Sequence, residues 1–490
     1  MRKVSIFAGE TSVFRKIGYI SNTVNIRNKN NTDSTVNSTN EPNKTRKIIN
    51  TIHTFDSNNS DILNSNIDIN RNIIQLALEP TISLLKKTGF PRDLIDAVIF
   101  SSCSTEQYLS SIISEILGIK PKISHRIDNL CNSGTNAIIS AYSYIASGLC
   151  DCALVIGAEL CDSPGRVLTR DISRGQFNLP IYWAAIIKKM YKNKYRIDEE
   201  KICSIPVKNY LKAKYNHIAI NSGKNLTLSQ VMNSKLLIDP LHLLECSMIC
   251  DGASSILLTA NDKISFYTSK LDKDQLSRNK TKSSKFSTTS NLLSDNKEKY
   301  SKQEIIPICI KGIGQQTFSA SLGNSIESIF KSSPAKNAAR QAYEMARIKP
   351  SHIDLAEIHD AFSILEIIAY EDLGFVGEGK GGRFIDNKDQ DMYINPRGGI
   401  LGCGHPLGAT GIAQTVEIFK QLCGTIDDDI YWNDQLKFVT NALYNENNSV
   451  NTKTNNNKVH GRQIKSDIKR GLVHNLAAAG TSASIIILEK

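Results

Sequence analysis

Residues 127–137 read IDNLCNSGTNA, and the apolar run AIISAYSYIA (137–146) overlaps their end. Cys131 therefore stands among Asn129, Asn132, Ser133, Gly134 and Thr135, between an extended entry and a helix. Small polar residues ahead of an apolar run mark a helix start. The first-turn amides of a helix stabilise an anion, so a thiol placed there gains acidity and lies beside donors for a developing oxyanion. A cysteine at a tight turn is otherwise a small buried hydrophobe. What separates the two readings is a base within reach, because the thiolate and not the thiol attacks.

Outward from this junction the chain alternates strand and helix. KVSIFAG (3–9), DAVIFSS (96–102) and CALVIGAE (152–159) predict strands, the last an apolar run of the kind buried on both faces. Residues 71–88, 106–117 and 135–147 predict helices, with Pro80 a kink in the first. The second half repeats the pattern. IIPICIKGIG (305–314), IDLAEIHDA (353–361) and SASIIILE (482–489) predict strands, and 335–346 and 408–422 predict helices. Such alternation, twice over, predicts an α/β protein of two similar halves. In the second half NPRGGILGCGHPLG (395–408) leads into a helix as NLCNSG does in the first.

That parallel supplies the base. His405 sits in a loop with Gly402, Gly404, Gly408 and Gly411, and Pro406 restricts it to an extended backbone. A histidine there is often a turn or capping residue, but an imidazole so held can accept a thiol proton. His359, in AEIHDAF, falls at the end of a predicted strand, where α/β proteins build their sites. Its plainer role is to pair with Asp360.

Composition removes other classes. The chain has 490 residues, 40% of them hydrophobic and 22% charged, enough for a large core. Its 11 cysteines are odd in number and scattered, which excludes a disulfide framework and favours a reducing compartment. Cys150 and Cys152 lie in an apolar strand with no second pair at zinc spacing, so no metal site is expected. The net charge of +11 is partly carried by residues 268–303, where nine Lys/Arg face four Asp/Glu. No aromatic-basic interleaving marks a nucleic-acid module. No apolar run is long enough to span a membrane. The first strand starts at the N-terminus, so a cytoplasmic location is expected, with organellar import left open. Segments 21–70 (Asn/Ser/Thr-rich), 272–303 (Lys/Ser-rich) and 424–470 (containing NENNSVNTKTNNNK) have the composition of loop expansions that cannot pack.

NLCNSG, HDAF and GHPLGATG, in that order and spacing, resemble the thiolase superfamily, and the likeness runs along most of the chain outside the expansions. KVSIFAGET resembles its first strand, and PLHLLECSMICDGASSILL (240–258) the segment returning to the N-terminal half. EDLGFVGEGKGG and NPRGGILGCGHP are similar to the sterol-carrier-type and archaeal branch, which carries HDxF in place of NEAF. The resemblance implies the thiolase fold, two βαβαβαββ halves in a layered αβαβα arrangement. Residues 1–265 would form the N-terminal half, with a loop domain at about 160–240. A low-complexity insert at 266–303 would precede the C-terminal half at 304–490.

The resemblance also implies acyl-CoA:acetyl-CoA C-acyltransfer, foremost as acetoacetyl-CoA thiolase. Cys131 would be acylated and His405 would activate it. His359 would line an oxyanion hole with a water, and the amides of Cys131 and the turn 478–480 would form a second hole. Acyl-CoA and CoA would bind as substrates under the loop domain, with no permanent cofactor, in a homodimer or homotetramer. The chain departs from the family at the second catalytic cysteine. Its two usual places hold Ala361 and the turn HNLAAAG, and Cys403 stands where the family has no catalytic thiol, so it is expected to be structural. A Cys-His-His condensing or acyl-transfer enzyme on another acyl-CoA, and a non-catalytic acyl-CoA or lipid-binding protein, are the alternatives.

Overall fold

The computed structural model describes residues 2–15, 72–160, 180–271, 306–318, 333–385, 392–426, 464 and 467–490. The first two expansions lie outside the described residues, as does the third apart from 424–426, 464 and 467–470.

In the first half, β1 (Val4–Thr11), β2 (Ala97–Ser101), β3 (Ile123–Ile127) and β4 (Cys152–Glu159) are followed, after a short hairpin of β5 (Leu236–Ile238) and β6 (Leu241–His242), by β7 (Gly252–Ala260). The second half contributes β8 (Ile308–Thr317), β9 (Leu355–Glu357), β10 (Tyr393–Ile394), β11 (Arg470–Ala477) and β12 (Ser482–Glu489). The ten-stranded sheet runs β10-β9-β11-β12-β8-β1-β7-β4-β2-β3. Counted within each half, outward from the seam, both sets of five read first, fifth, fourth, second, third. The senses match as well. β2 lies parallel to β3 and β4, as β9 does to β10 and β11, and the remaining pairs within each half are antiparallel. This is the duplication that the strand–helix alternation implied.

The two halves meet at a seam of only two pairs, Ser5 opposite Cys309 and Ile6 opposite Ile308. Beyond it the sheets diverge around two central helices, α3 (Ser133–Ala146) and α11 (Leu407–Cys423). Ala137, Ile138, Ala141, Ile412 and Val416 pack there with strand residues of both halves, such as Val4, Ile256, Val473 and Ile486. Outside the first sheet lie α1 (Ile73–Thr88) and α2 (Leu109–Ile116), packed on Phe100, Leu154 and Leu257. Outside the second lie α7 (Pro334–Ala346) and α8 (Ser363–Asp372), packed on Ala356, Ile485 and Ile487. The layers are helix, sheet, helix, sheet, helix. Residues 180–232 form α4 (Pro180–Tyr195), α5 (Glu199–Ala213) and α6 (Leu228–Met232), and Trp183, Ile187, Tyr191, Ile202 and Ile205 join the core of the C-terminal half.

Several sequence expectations shift. α1 runs unbroken through Pro80, capped by the Asn72 side chain at one end and by left-handed Gly89 at the other. The helix expected at 106–117 starts at Leu109. The strand expected at 353–361 is Leu355–Glu357, which leaves His359 in the loop beyond it. β11, which runs into HNLAAAG, and the helix α8, buried from Ser363 to Tyr370, are additions; neither shows the amphipathic period that identifies a surface element.

Candidate active site

Cys131 lies in a single 3₁₀ turn, Leu130–Asn132, at the entrance of α3. Leu130 holds a left-handed backbone, φ 49°, which turns the chain sharply out of β3. A branched residue in that region carries strain of order 1 kcal/mol. Strand β12 braces the turn: the Asn129 side-chain amide donates to Ser482 Oγ at 3.1 Å and that of Asn132 to Ser484 Oγ at 3.0 Å.

His405 occupies the matching place in the second half. It follows α10 (Gly399–Cys403) and immediately precedes the Pro406 cap of α11. Asp360 accepts from the amides of Ile400 (2.6 Å) and Leu401 (3.2 Å), so the Asp of HDAF caps α10 and fixes the His405 loop. Burial, with the charge of Glu366, pushes the Asp360 carboxyl up to about 7. Desolvation raises Glu366, but the Lys208 ammonium together with the hydrogen bonds from Lys208, Tyr370 and Asn209 outweighs it and holds the carboxyl low. At the mouth of α11, Glu159 accepts from the amides of Gly408 (3.1 Å) and Cys103 (2.9 Å), and Ser101 Oγ donates to Gly408 O at 2.6 Å. First-half strand ends thereby dock the second-half helix.

His359 follows β9. One extended segment, Cys246–Cys250, ties both histidine loops together: Ser247 N donates to Ala361 O and His405 N to Met248 O, each at 2.8 Å. This strap is the stretch leading back to the N-terminal half, and its polarity pattern gave no hint of the bridging role.

The sulfur of Cys131 and one ring nitrogen each of His359 and His405 lie within 4.8 Å of one another. The rings meet edge to face, centroids 5.3 Å apart. The structure thus brings together all three residues singled out in the sequence. His405 Nδ1 lies 2.8 Å from Thr410 Oγ1, and that hydroxyl donates its proton to Pro406 O at 2.9 Å. The hydroxyl can only accept from Nδ1–H, which leaves Nε2 as a lone pair toward the thiol.

The expectation of an acidified thiol is corrected. Desolvation by the surrounding atoms raises Cys131 to about 12, outweighing the lowering by the amides of Ala478 and Cys131 itself. The unliganded site therefore holds a thiol, and a base must remove its proton as reaction begins. Ala478, in the HNLAAAG turn, is also left-handed at φ 47°, and this aims its N–H at the sulfur. Burial lowers His359 to about 4, so it is a neutral imidazole.

Cys403 is elsewhere. Its Sγ donates to Arg397 O at 2.9 Å and it packs with Phe14, Ala213 and Cys250. Cys103, which the sequence reading passed over, adjoins the site: its sulfur lies 3.9 Å from Ser133 Oγ, and burial pushes the thiol far above its ordinary value. Cys131, His359 and His405 are a donor set of the kind zinc accepts. In a second group, Glu199, His242 and Glu245, both carboxylates bond the Lys188 ammonium.

A thiol and an imidazole at the entrances of paired central helices, with a second imidazole in the loop after β9, in a duplicated five-layer α/β fold, form an arrangement suited to acyl transfer through sulfur. Residues 69–262 match the family description "Thiolase, N-terminal domain" and residues 316–453 match "Thiolase C-terminal domain-like". The chain is 32% identical over 330 residues to the acetyl-CoA acetyltransferase of Methanothermobacter thermautotrophicus, covering 65% of this chain and 76% of that protein. It is 30% identical over 320 residues to sterol carrier protein 2 of Bos taurus, covering 61% of this chain and 52% of that protein. The fold superposes on the thiolase Acat5 from Ascaris suum in complex with coenzyme A, with TM-score 0.57, 16% identity and complete coverage of both chains. The chain belongs to the thiolase family.

Proposed function

We propose that the protein is an acyl-CoA:acetyl-CoA C-acyltransferase, foremost an acetoacetyl-CoA thiolase. The observation that carries the reading is the Cys131–His359–His405 group, with its three reactive atoms within 4.8 Å. Its acetyl-CoA acetyltransferase relative supports the same chemistry.

His405 Nε2 takes the Cys131 proton, the sulfur attacks the acyl-CoA carbonyl, and the CoA thiolate leaves with that proton. The amides of Cys131 and Ala478 would hold the developing oxyanion. In the second half-reaction a base removes an α-proton from acetyl-CoA. The carbanion attacks the acyl-cysteine carbonyl, and Cys131 leaves as a thiolate that regains the proton. Neither usual cysteine position offers a thiol, so His359 is the base. Residues 160–240 would cover CoA, and the working form would be a homodimer or homotetramer.

A second reading, non-catalytic binding of acyl-CoA or lipid, draws support from the likeness to sterol carrier protein 2, of which this chain spans about half. Thiolysis of a panel of 3-ketoacyl-CoAs by purified protein tests the proposal. Turnover with acetoacetyl-CoA is expected. Acylation of Cys131 without turnover would move the assignment to another acyl transfer, and neither would leave the binding reading.

A further inference from the structure

A line of hydrogen bonds starts behind His359 at a group whose polarity is fixed. The backbone carbonyl of Ile358 can only accept, and Gln414 Nε2 of α11 donates to it at 3.3 Å. This orients the Gln414 amide, so its Oε1 faces the opposite way and accepts from Asn475 Nδ2 of β11 at 2.5 Å. Asn475 is oriented in turn, and its Oδ1 lies 3.2 Å from His359 Nδ1. A carbonyl oxygen only accepts, so Nδ1 must carry a hydrogen. Reversing any amide would set two oxygens face to face in a region where Gln414 and Asn475 are fully buried, and so leave buried polar atoms unpaired.

We infer that the Ile358–Gln414–Asn475 relay fixes His359 as the Nδ1–H tautomer, making its Nε2 a proton acceptor and the base of the carbon–carbon step, with Gln414 and Asn475 as positioning residues. The inference rests on the proposed acyl transfer and gives its acid/base step a definite atom. The α C–H bond of acetyl-CoA breaks, its proton goes to Nε2, and its electron pair forms the new bond to the acyl carbon. The acyl–sulfur bond then breaks and the proton passes from Nε2 to the Cys131 thiolate. Before that step Nε2 has no hydrogen to give, so a thioester oxygen gains a donor at His359 only once proton transfer has begun. An oxyanion-hole role for His359 thus follows its role as base.

Other groups around His359 fit this assignment. The neighbouring His474 receives the His359 backbone amide at Nδ1, 3.4 Å, and is itself lowered to about 3, so it is neutral. His405 and Cys131 complete the first surroundings, and the Asp360 carboxylate is turned away toward α10. Burial keeps His359 deprotonated at neutral pH, so the base is present in every free molecule.

The full-length protein with ¹⁵N-labelled histidine gives a readout independent of activity. His359, assigned by its loss in His359→Gln, should show a protonated Nδ1 and an unprotonated Nε2. The reverse pattern would overturn the inference, whatever the enzyme does. Kinetically, Asn475→Leu removes the acceptor. It should slow condensation roughly a hundredfold, while acylation of Cys131 by acetyl-CoA stays within about threefold. Asn475→Asp keeps the acceptor toward Nδ1, loses the donor to Gln414 Oε1 and adds a charge. It should lose less condensation than Asn475→Leu and move the acidic limb of its pH profile upward. Equal loss of acylation and condensation in Asn475→Leu, or an unmoved limb in Asn475→Asp, would make the residue structural and overturn the inference. If His359→Ala abolishes condensation and Asn475→Leu does not, the relay fails while the acyl-transfer reading stands.

Discussion

Gly411→Ala tests how the two halves share one site. The N-terminal ends of α3 and α11 touch through glycine. A Cβ at Gly411 would lie 2.2 Å from Thr135 Oγ1 and 2.7 Å from Thr135 N, where ordinary contact begins at 3.4 Å. The hydroxyl can rotate away, but the backbone nitrogen cannot, so the helices must part by most of an ångström. Overpacking of that kind costs about 1–3 kcal/mol or more. It also separates Cys131, at the mouth of α3, from His405, at the mouth of α11. A misplacement near 1 Å costs on the order of a hundredfold in rate. Gly134→Ala is the graded partner. Its Cβ meets Gly408 O and Ile412 N at 3.0 Å, so a few tenths of an ångström suffice. Thermal melting and single-turnover acylation by acetyl-CoA, followed by intact mass, should rank wild type above Gly134→Ala above Gly411→Ala in both measures. A Gly411→Ala protein that melts and acylates like wild type would refute the shared-crossing argument.

Incubation with acetyl-CoA should place an acetyl adduct on Cys131 and none on Cys131→Ala, which should still fold because the residue lies in a turn; an adduct on Cys103 or Cys403 would relocate the nucleophile. Cys403→Ser should be nearly silent in acylation and condensation, since serine can also donate to Arg397 O; a hundredfold loss of condensation alone would make Cys403 the acid/base. With Cys131 raised to about 12, its alkylation by iodoacetamide in the free protein should climb roughly tenfold per pH unit between pH 7 and 9; a plateau near pH 8 would contradict the desolvation argument. Burial raises Asp372 to about 7 from an ordinary 3.8. The folded protein then holds a proton that the unfolded chain releases, so this contribution is complete below pH 3.8 and is lost as pH rises through 7. Asp372→Asn should therefore gain more melting temperature relative to wild type at pH 8.5 than at pH 5; an equal change at both would refute it.

The fold was legible because its signals are local. β4 is an unbroken apolar run, α11 has a periodic apolar face, small polar residues open α3 and a glycine-rich turn precedes α11. The Cys131–His359–His405 group was legible because each member sits at an element boundary marked by small residues. The relay behind His359 was not, since Gln414 and Asn475 lie 61 residues apart in a buried helix and a buried strand, and nothing in either stretch sets them off. The raised Cys131 thiol was missed for a related reason: helix amides are visible in a sequence, whereas the desolvation that overrides them comes from packing across both halves.

The strap at 246–250 makes the chain unequally tolerant of length. Adjacent residues of an extended segment present their groups to opposite sides. Ser247 serves the His359 loop and Met248 the His405 loop, and there is no spare residue between them. A sequence that carries Asn-rich and Lys-rich expansions at its loops could not take a single added residue here. One insertion would turn one of the two contacts to the wrong side and leave that histidine without its anchor. In this molecule the strap is a connection whose length is counted.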